Sequence, residues 1–185
     1  MNLNRFDAFI SETIRWETGG DRNGGYTNNP KDAGKETKWG ISKKAHPELN
    51  IKDLTYKQAI EIYKQEYYNP YYDLIMSDNI SFKVFDMGVL TGPKTSIVRL
   101  QRTIRHKGEY LLRIDGKIGP MTLTALQMSI VRLGEENFYN AYIERYKGWF
   151  TRLVYAKPWN QTFYKGWINR VNFQFKDFND SKSKK

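Results

Sequence analysis

Asn4-Arg-Phe-Asp-Ala-Phe-Ile-Ser-Glu-Thr-Ile-Arg-Trp-Glu17, followed by Thr18-Gly-Gly20, sets the terms for the rest of the chain. Phe6, Phe9, Ile10 and Ile14 fall on one stripe at helical spacing, and the two glycines stop the helix. Residues 21–40 contrast with it. Asp21-Arg-Asn-Gly-Gly-Tyr-Thr-Asn-Asn-Pro30, Asp32-Ala-Gly34 and Thr37-Lys-Trp-Gly40 are dense in turn formers, which predicts loops with a short β-hairpin.

Beyond residue 40 helical patterns resume. Thr55 and Gln58 form a capping box ahead of a helix that Asn69-Pro70 closes. Phe82–Leu90 reads as an apolar helix ended by Gly92-Pro93, and Lys94–His106 as the next. Pro120 sits at a first helical position ahead of Met121–Leu133. A long aromatic helix starts at Gly134-Glu-Glu and breaks at Lys157-Pro158, and Thr162–Phe178 forms the last. The expected fold is mainly α. The expected division is 1–92, 93–178 packed in the same compact unit, and a flexible basic tail at 179–185.

The chain has 185 residues, enough to bury a core without disulfides or metal staples. Cysteine is absent, which excludes cysteine nucleophiles, thiolate metal sites and disulfides. With two histidines, His46 and His106, zinc chemistry is poorly supplied, and no G-x-S-x-G elbow supports a serine hydrolase. No metal or cofactor is expected. Carboxylate is what remains for hydrolysis. The N-terminus reads as an amphipathic helix rather than a signal peptide, and no apolar run of about 18 residues argues for a membrane span. Action outside the cytoplasm would then need another release route, such as phage lysis, a holin or dedicated secretion.

One carboxylate stands out. At about 100° per residue Glu17 falls about 20° from both Phe6 and Ile10, near the middle of the apolar stripe, whereas Glu12 falls off it. Burial disfavours a charged carboxylate, and a general acid must hold its proton until it is used. A solvated helix-end residue is the bland alternative. Asp32 and Thr37 follow in the loop. A glycosidase needs a proton donor on the leaving oxygen and a carboxylate or positioned water on the opposite sugar face. Asp32 fits a base or a stabiliser of the oxocarbenium ion, and Thr37 fits a water holder. As turn and strand residues they need no function.

Glu17, Gly24-Gly-Tyr-Thr-Asn-Asn-Pro-Lys-Asp-Ala-Gly34 and Glu36-Thr-Lys-Trp-Gly-Ile41 together resemble the signature of the glycoside hydrolase 108 family. The resemblance continues through Val84–Pro93. It extends to Asp115-Gly-Lys-Ile-Gly-Pro-Met-Thr122, which is similar to that family's predicted peptidoglycan-binding region. It implies a lysozyme-like helical fold and N-acetylmuramidase activity, with 1–92 catalytic, 93–178 wall-binding and bacterial peptidoglycan as partner. It also implies Glu17, Asp32 and Thr37 as catalytic residues. The family acid directly precedes Gly-Gly-Tyr; here Thr18–Asn23 intervene, so Glu17 matches across an insertion. Lys35 replaces a glycine, and Leu90 stands where the family often has asparagine.

The net charge of +10 suits a polyanion, including the phosphate-rich and carboxylate-rich bacterial envelope. Lys and Arg read as spread along the chain apart from the tail, so no nucleic-acid groove is expected, and a monomer is. Tyr26 and Trp39 in the motif loop are candidates to stack on sugars, and Tyr67, Tyr68, Tyr71 and Tyr72 flank Asn69-Pro70 as candidate cleft residues, Tyr71 being the one assigned to substrate. Aromatics from Phe138 to Trp167 are assigned mainly to packing. A catalytically inert wall-binding or secretion-accessory module is the rival function.

Overall fold

The computed structural model describes residues 4–28, 36–108 and 110–175. The fold is mainly α. The described residues form seven α-helices and one three-stranded antiparallel sheet, in two compact units, Met1–Tyr68 and Asn69–Lys185.

The first unit opens with α1 (Arg5–Glu17), capped by the Asn4 side chain, which accepts from the Asp7 N–H at 2.8 Å. Phe6, Phe9, Ile10, Thr13 and Ile14 are its buried stripe. Its end is a Schellman closure: Gly19 takes a left-handed φ of 61°, and the Gly20 N–H reaches back to the Arg15 carbonyl at 3.0 Å. Glu17 is therefore the last helical residue.

Strands β1 (Thr27–Asn28), β2 (Glu36–Lys38) and β3 (Ile41–Ser42) pair in sequence order, Thr27 opposite Thr37 and Lys38 opposite Ile41. The last register leaves a two-residue turn, Trp39-Gly40, with both φ values positive (56° and 77°), as a type I′ hairpin requires. Helix α2 (Tyr56–Tyr67) follows with the expected Thr55–Gln58 capping box and packs on α1.

In the second unit, a 3-10 turn at Pro70–Leu74 leads into α3 (Asp78–Thr91), whose residues from Ile80 to Gly88 are all buried. A helix enclosed on every side must satisfy its polar groups internally. Ser81 donates to the Tyr72 carbonyl at 2.7 Å, Lys83 Nζ donates to the Arg170 carbonyl at 2.9 Å, and Asp86 takes a forked ion pair from Arg170, Nη2 to Oδ1 at 2.9 Å. Around it stand α4 (Pro93–Lys107), α5 (Pro120–Leu133), α6 (Glu135–Ala156) and α7 (Gln161–Asn172).

The Asp115-Gly-Lys-Ile-Gly-Pro turn is built by Gln101. Its amide donates to Asp115 Oδ1 and the Lys117 carbonyl, both at 2.9 Å, and its oxygen accepts from the Asp115 and Gly116 N–H groups. Those bonds, with the Lys117 N–H, hold the Asp115 carboxyl below its ordinary pKa.

Three expectations need correction. Helix α3 begins four residues before Phe82, because Ser77 caps it. Helix α7 ends at Asn172 instead of running to 178: Phe173 and Phe175 leave the helix and set their rings on Phe82, with centroids 5.9 and 4.8 Å away. Burying two phenyl rings outweighs another helical turn. The basic residues are not evenly spread either: α4 carries Arg99, Arg102 and Arg105 at three-residue intervals, and Arg102, Arg105, His106 and Arg145 of α6 line one hollow. The tail at 179–185 lies outside the described residues. Among the described residues no helix is long and apolar enough to cross a membrane.

Candidate active site

Glu17 continues the buried stripe of α1, three residues after Ile14 and four after Thr13, and is half-buried. Glu12, off the stripe, instead pairs with Arg15 on the surface at 3.0 Å. The Trp39-Gly40 turn presses on the Glu17 side chain. A Cβ placed on Gly40 would lie 2.9 Å from Glu17 Cβ and 3.1 Å from Glu17 Cγ, and would also collide with the Tyr63 hydroxyl. Tyr63, buried in α2, donates that hydroxyl to the Trp39 carbonyl at 2.9 Å. One helical turn on, burial and the charges of Glu66 and Glu17 raise the Tyr67 pKa, so its phenol lies within electrostatic reach of the Glu17 carboxylate.

Trp39 is fixed from several sides. Its N–H donates to the Gly24 carbonyl at 2.7 Å, its indole Nε1 to the Leu54 carbonyl at 3.1 Å, and its ring meets Tyr56 edge-on at 5.1 Å. A Cβ on Gly24 would fall 2.6 Å from the indole, which accounts for the first glycine of Gly24-Gly-Tyr26. These restraints hold a tryptophan at positive φ, a conformation that persists only where the surroundings impose it. Trp39 is thus an anchor of the hairpin as well as a candidate sugar platform.

Next to this anchor lies an open groove of about 480 Å³, lined by Ile14, Arg15, Thr18, Arg22, Trp39 and Tyr56 among others. The wall includes Thr18, Gly20, Asp21 and Arg22 of the segment that follows Glu17. Glu17 does not line it; its neighbour Thr18 does.

The other sequence-derived residues are distributed as follows. Thr37 is half-buried in the central strand, paired with Thr27 and Ser42. Tyr26 is exposed and donates its hydroxyl to Glu36 at 2.8 Å, a bond that raises its pKa. Asp32 lies outside the described residues. Tyr71 belongs to the second unit, half-buried in the 3-10 turn, while neighbouring Tyr72 is fully buried core. Among the described residues no group of three His, Asp or Glu side chains could hold a metal ion.

Gly40, Tyr63 and Glu36 were not singled out from sequence. Gly40 was readable within the Trp-Gly-Ile run, but the roles of the other two depend on pairings 24 and 10 residues apart.

Residues 11–92 match the model of the glycosyl hydrolase 108 family, and residues 95–172 match that of a predicted peptidoglycan domain. Residues 11–92 thus form a glycosyl hydrolase 108 domain. A peptidoglycan-related hydrolase activity follows from the two matches together. The structure of Brucella abortus SagA shares the fold, with a TM-score of 0.60 and 22% identity over 88% of either chain. No curated protein matches. The family match covers the whole Glu17, Gly24, Trp39 and Gly40 constellation.

Proposed function

We propose that this chain is an N-acetylmuramidase that cleaves the β-1,4 bond from N-acetylmuramic acid to N-acetylglucosamine in bacterial peptidoglycan. Glu17 gives its proton to the glycosidic oxygen as the bond to the N-acetylmuramic acid C1 breaks. Water adds to that carbon from the other face, guided by Thr37 and deprotonated by Asp32, or Asp32 stabilises the cationic sugar. Tyr26, Trp39 and Tyr71 contact the glycan, residues 1–92 carry the chemistry and 93–178 hold the wall.

The observation that carries this reading is Glu17 wedged against the Gly40 backbone, with Tyr67 in electrostatic reach, next in sequence to Thr18, which lines the groove walled by Trp39 and Tyr56. A proton donor acts only if its geometry is fixed in advance, and a carboxylate whose methylenes are confined by backbone meets that condition. Clearing of a peptidoglycan suspension tests it. Wild type should clear the suspension, and Glu17→Gln, nearly the same in shape, should lose at least about 100-fold in rate. Equal clearing by both would remove Glu17 from the mechanism.

A further inference from the structure

The second unit holds a cluster of charge that the hydrolytic reading does not use. Arg102, Arg105 and His106 of α4, Arg145 of α6 and Ile114 between them line a hollow of about 450 Å³. Arg99 lies one turn before Arg102, its guanidinium 4.6 Å over the Trp149 ring and its Nε buried without a hydrogen-bond partner. Burial, and then the charges of Arg102 and Arg152, push the Arg145 pKa down, and Arg99 is depressed by burial and by all three of those neighbours. Among the described residues no carboxylate pairs with Arg99, Arg102, Arg105, Arg145 or Arg152. Arg145 is positioned by a bond from its Nε to Thr103 Oγ1 at 3.1 Å, which leaves its terminal nitrogens for a ligand.

Like charges gathered this closely repel one another, and the repulsion is relieved when an anion enters. Guanidinium is the cation suited to forked bonding of oxyanions. A neutral glycan cannot use such a field, and a single carboxylate would neutralise only one of five guanidiniums. A phosphate carries up to two charges, and a phosphodiester polymer brings one per repeat.

We propose that this hollow is an oxyanion site for phosphate groups, through which the second unit grips phosphodiester polymers attached to the bacterial wall. It rests on the wall being the target, and on nothing about catalysis. The Arg102 and Arg105 side chains are exposed and make no hydrogen bond or ion pair to another described residue, so replacing them leaves the packing intact. Arg145 anchors the opposite wall.

The test uses full-length chain carrying Glu17→Gln, so that binding is read without digestion, and two forms of one wall preparation, with and without its phosphodiester polymer. At about 0.15 M salt, intact walls should retain the chain roughly tenfold more tightly than stripped walls. Adding Arg102→Gln and Arg105→Gln should abolish that difference while leaving retention on stripped walls unchanged. Inorganic phosphate should compete for intact walls only. Equal retention on both wall forms, an unaffected double variant, or tighter binding to duplex DNA or anionic phospholipid vesicles than to intact walls would each overturn the proposal. Retention on intact walls with none on stripped walls would support the oxyanion site, and slow clearing by wild type would count only against the muramidase reading.

Discussion

Gly40 lies so close to Glu17 that a methyl group on its Cα would sit 2.9 Å from the Glu17 Cβ. The contact joins the last residue of α1 to the tip of a hairpin 23 positions later. It makes glycine obligatory at position 40 for two independent reasons, the positive φ of 77° and the missing space.

Gly40→Ala should therefore destabilise the first unit by about 2 kcal/mol. The residue must strain the turn or displace Glu17 and Tyr63. Activity should fall by more than the folded fraction does, read as clearing rate against thermal unfolding. An Ala variant with unchanged rate would mean that Glu17 is not held by the turn.

The Glu17–Tyr67 coupling has a titration signature. Because the Glu17 charge contributes to raising the Tyr67 pKa, Glu17→Gln should lower the pH at which Tyr67 ionises, followed by the tyrosinate absorbance with Tyr67→Phe as reference. No change would place the two groups out of reach of one another.

Trp39→Phe keeps an aromatic ring but removes the indole bond to the Leu54 carbonyl. A loss of about 1–2 kcal/mol is expected from the orphaned acceptor and the smaller ring over Gly24. Chemical denaturation of the variant measures it, and an unchanged midpoint would remove Trp39 as the hairpin anchor.

Lys83 gives the second unit a pH dependence of known sign. Burial pushes its pKa down to about 8, so folding is penalised whenever the amine is charged. An unfolded lysine titrates near 10.4, so the penalty is complete below about pH 8 and disappears as pH rises toward that value. It amounts to about 3 kcal/mol, offset by about 1 kcal/mol from the bond to the Arg170 carbonyl. Lys83→Met should accordingly be more stable than wild type by about 2 kcal/mol at pH 7, and the gain should shrink by pH 9.5. Buried Tyr72, Tyr139, Tyr142 and Tyr146, all with raised pKa values, weaken the fold only above about pH 10 and do so equally in both proteins. A variant less stable at pH 7 would contradict this. Asp86 and Arg170 behave oppositely, since removing one partner of a buried pair costs about 3–5 kcal/mol.

What could be read from the chain followed local rules. The Thr55–Gln58 pair, Pro120 and the Gly19-Gly20 pair announce helix ends through their own side-chain and backbone chemistry, and the stripe ending in Glu17 is a matter of spacing alone. The start of α3 escaped because Asp78, Asn79 and Ser81 look like loop; only the cap from Ser77 makes them helical. The end of α7 escaped because no glycine or proline stops the pattern after Val171, yet Phe173 and Phe175 are drawn to Phe82, about 90 residues earlier. The arginine hollow needs α4 and α6 side by side. Arg99, Arg102 and Arg105 could have been seen as one face of a helix, but Arg145 could not have been added to them from sequence.

The most direct measurement of the central claim is mass spectrometry of the fragments released from purified peptidoglycan by wild type and by Glu17→Gln. Wild type should expose new N-acetylmuramic acid reducing ends, and Glu17→Gln should expose essentially none. New N-acetylglucosamine reducing ends, free peptides alone, or the same fragments from both proteins would contradict the account.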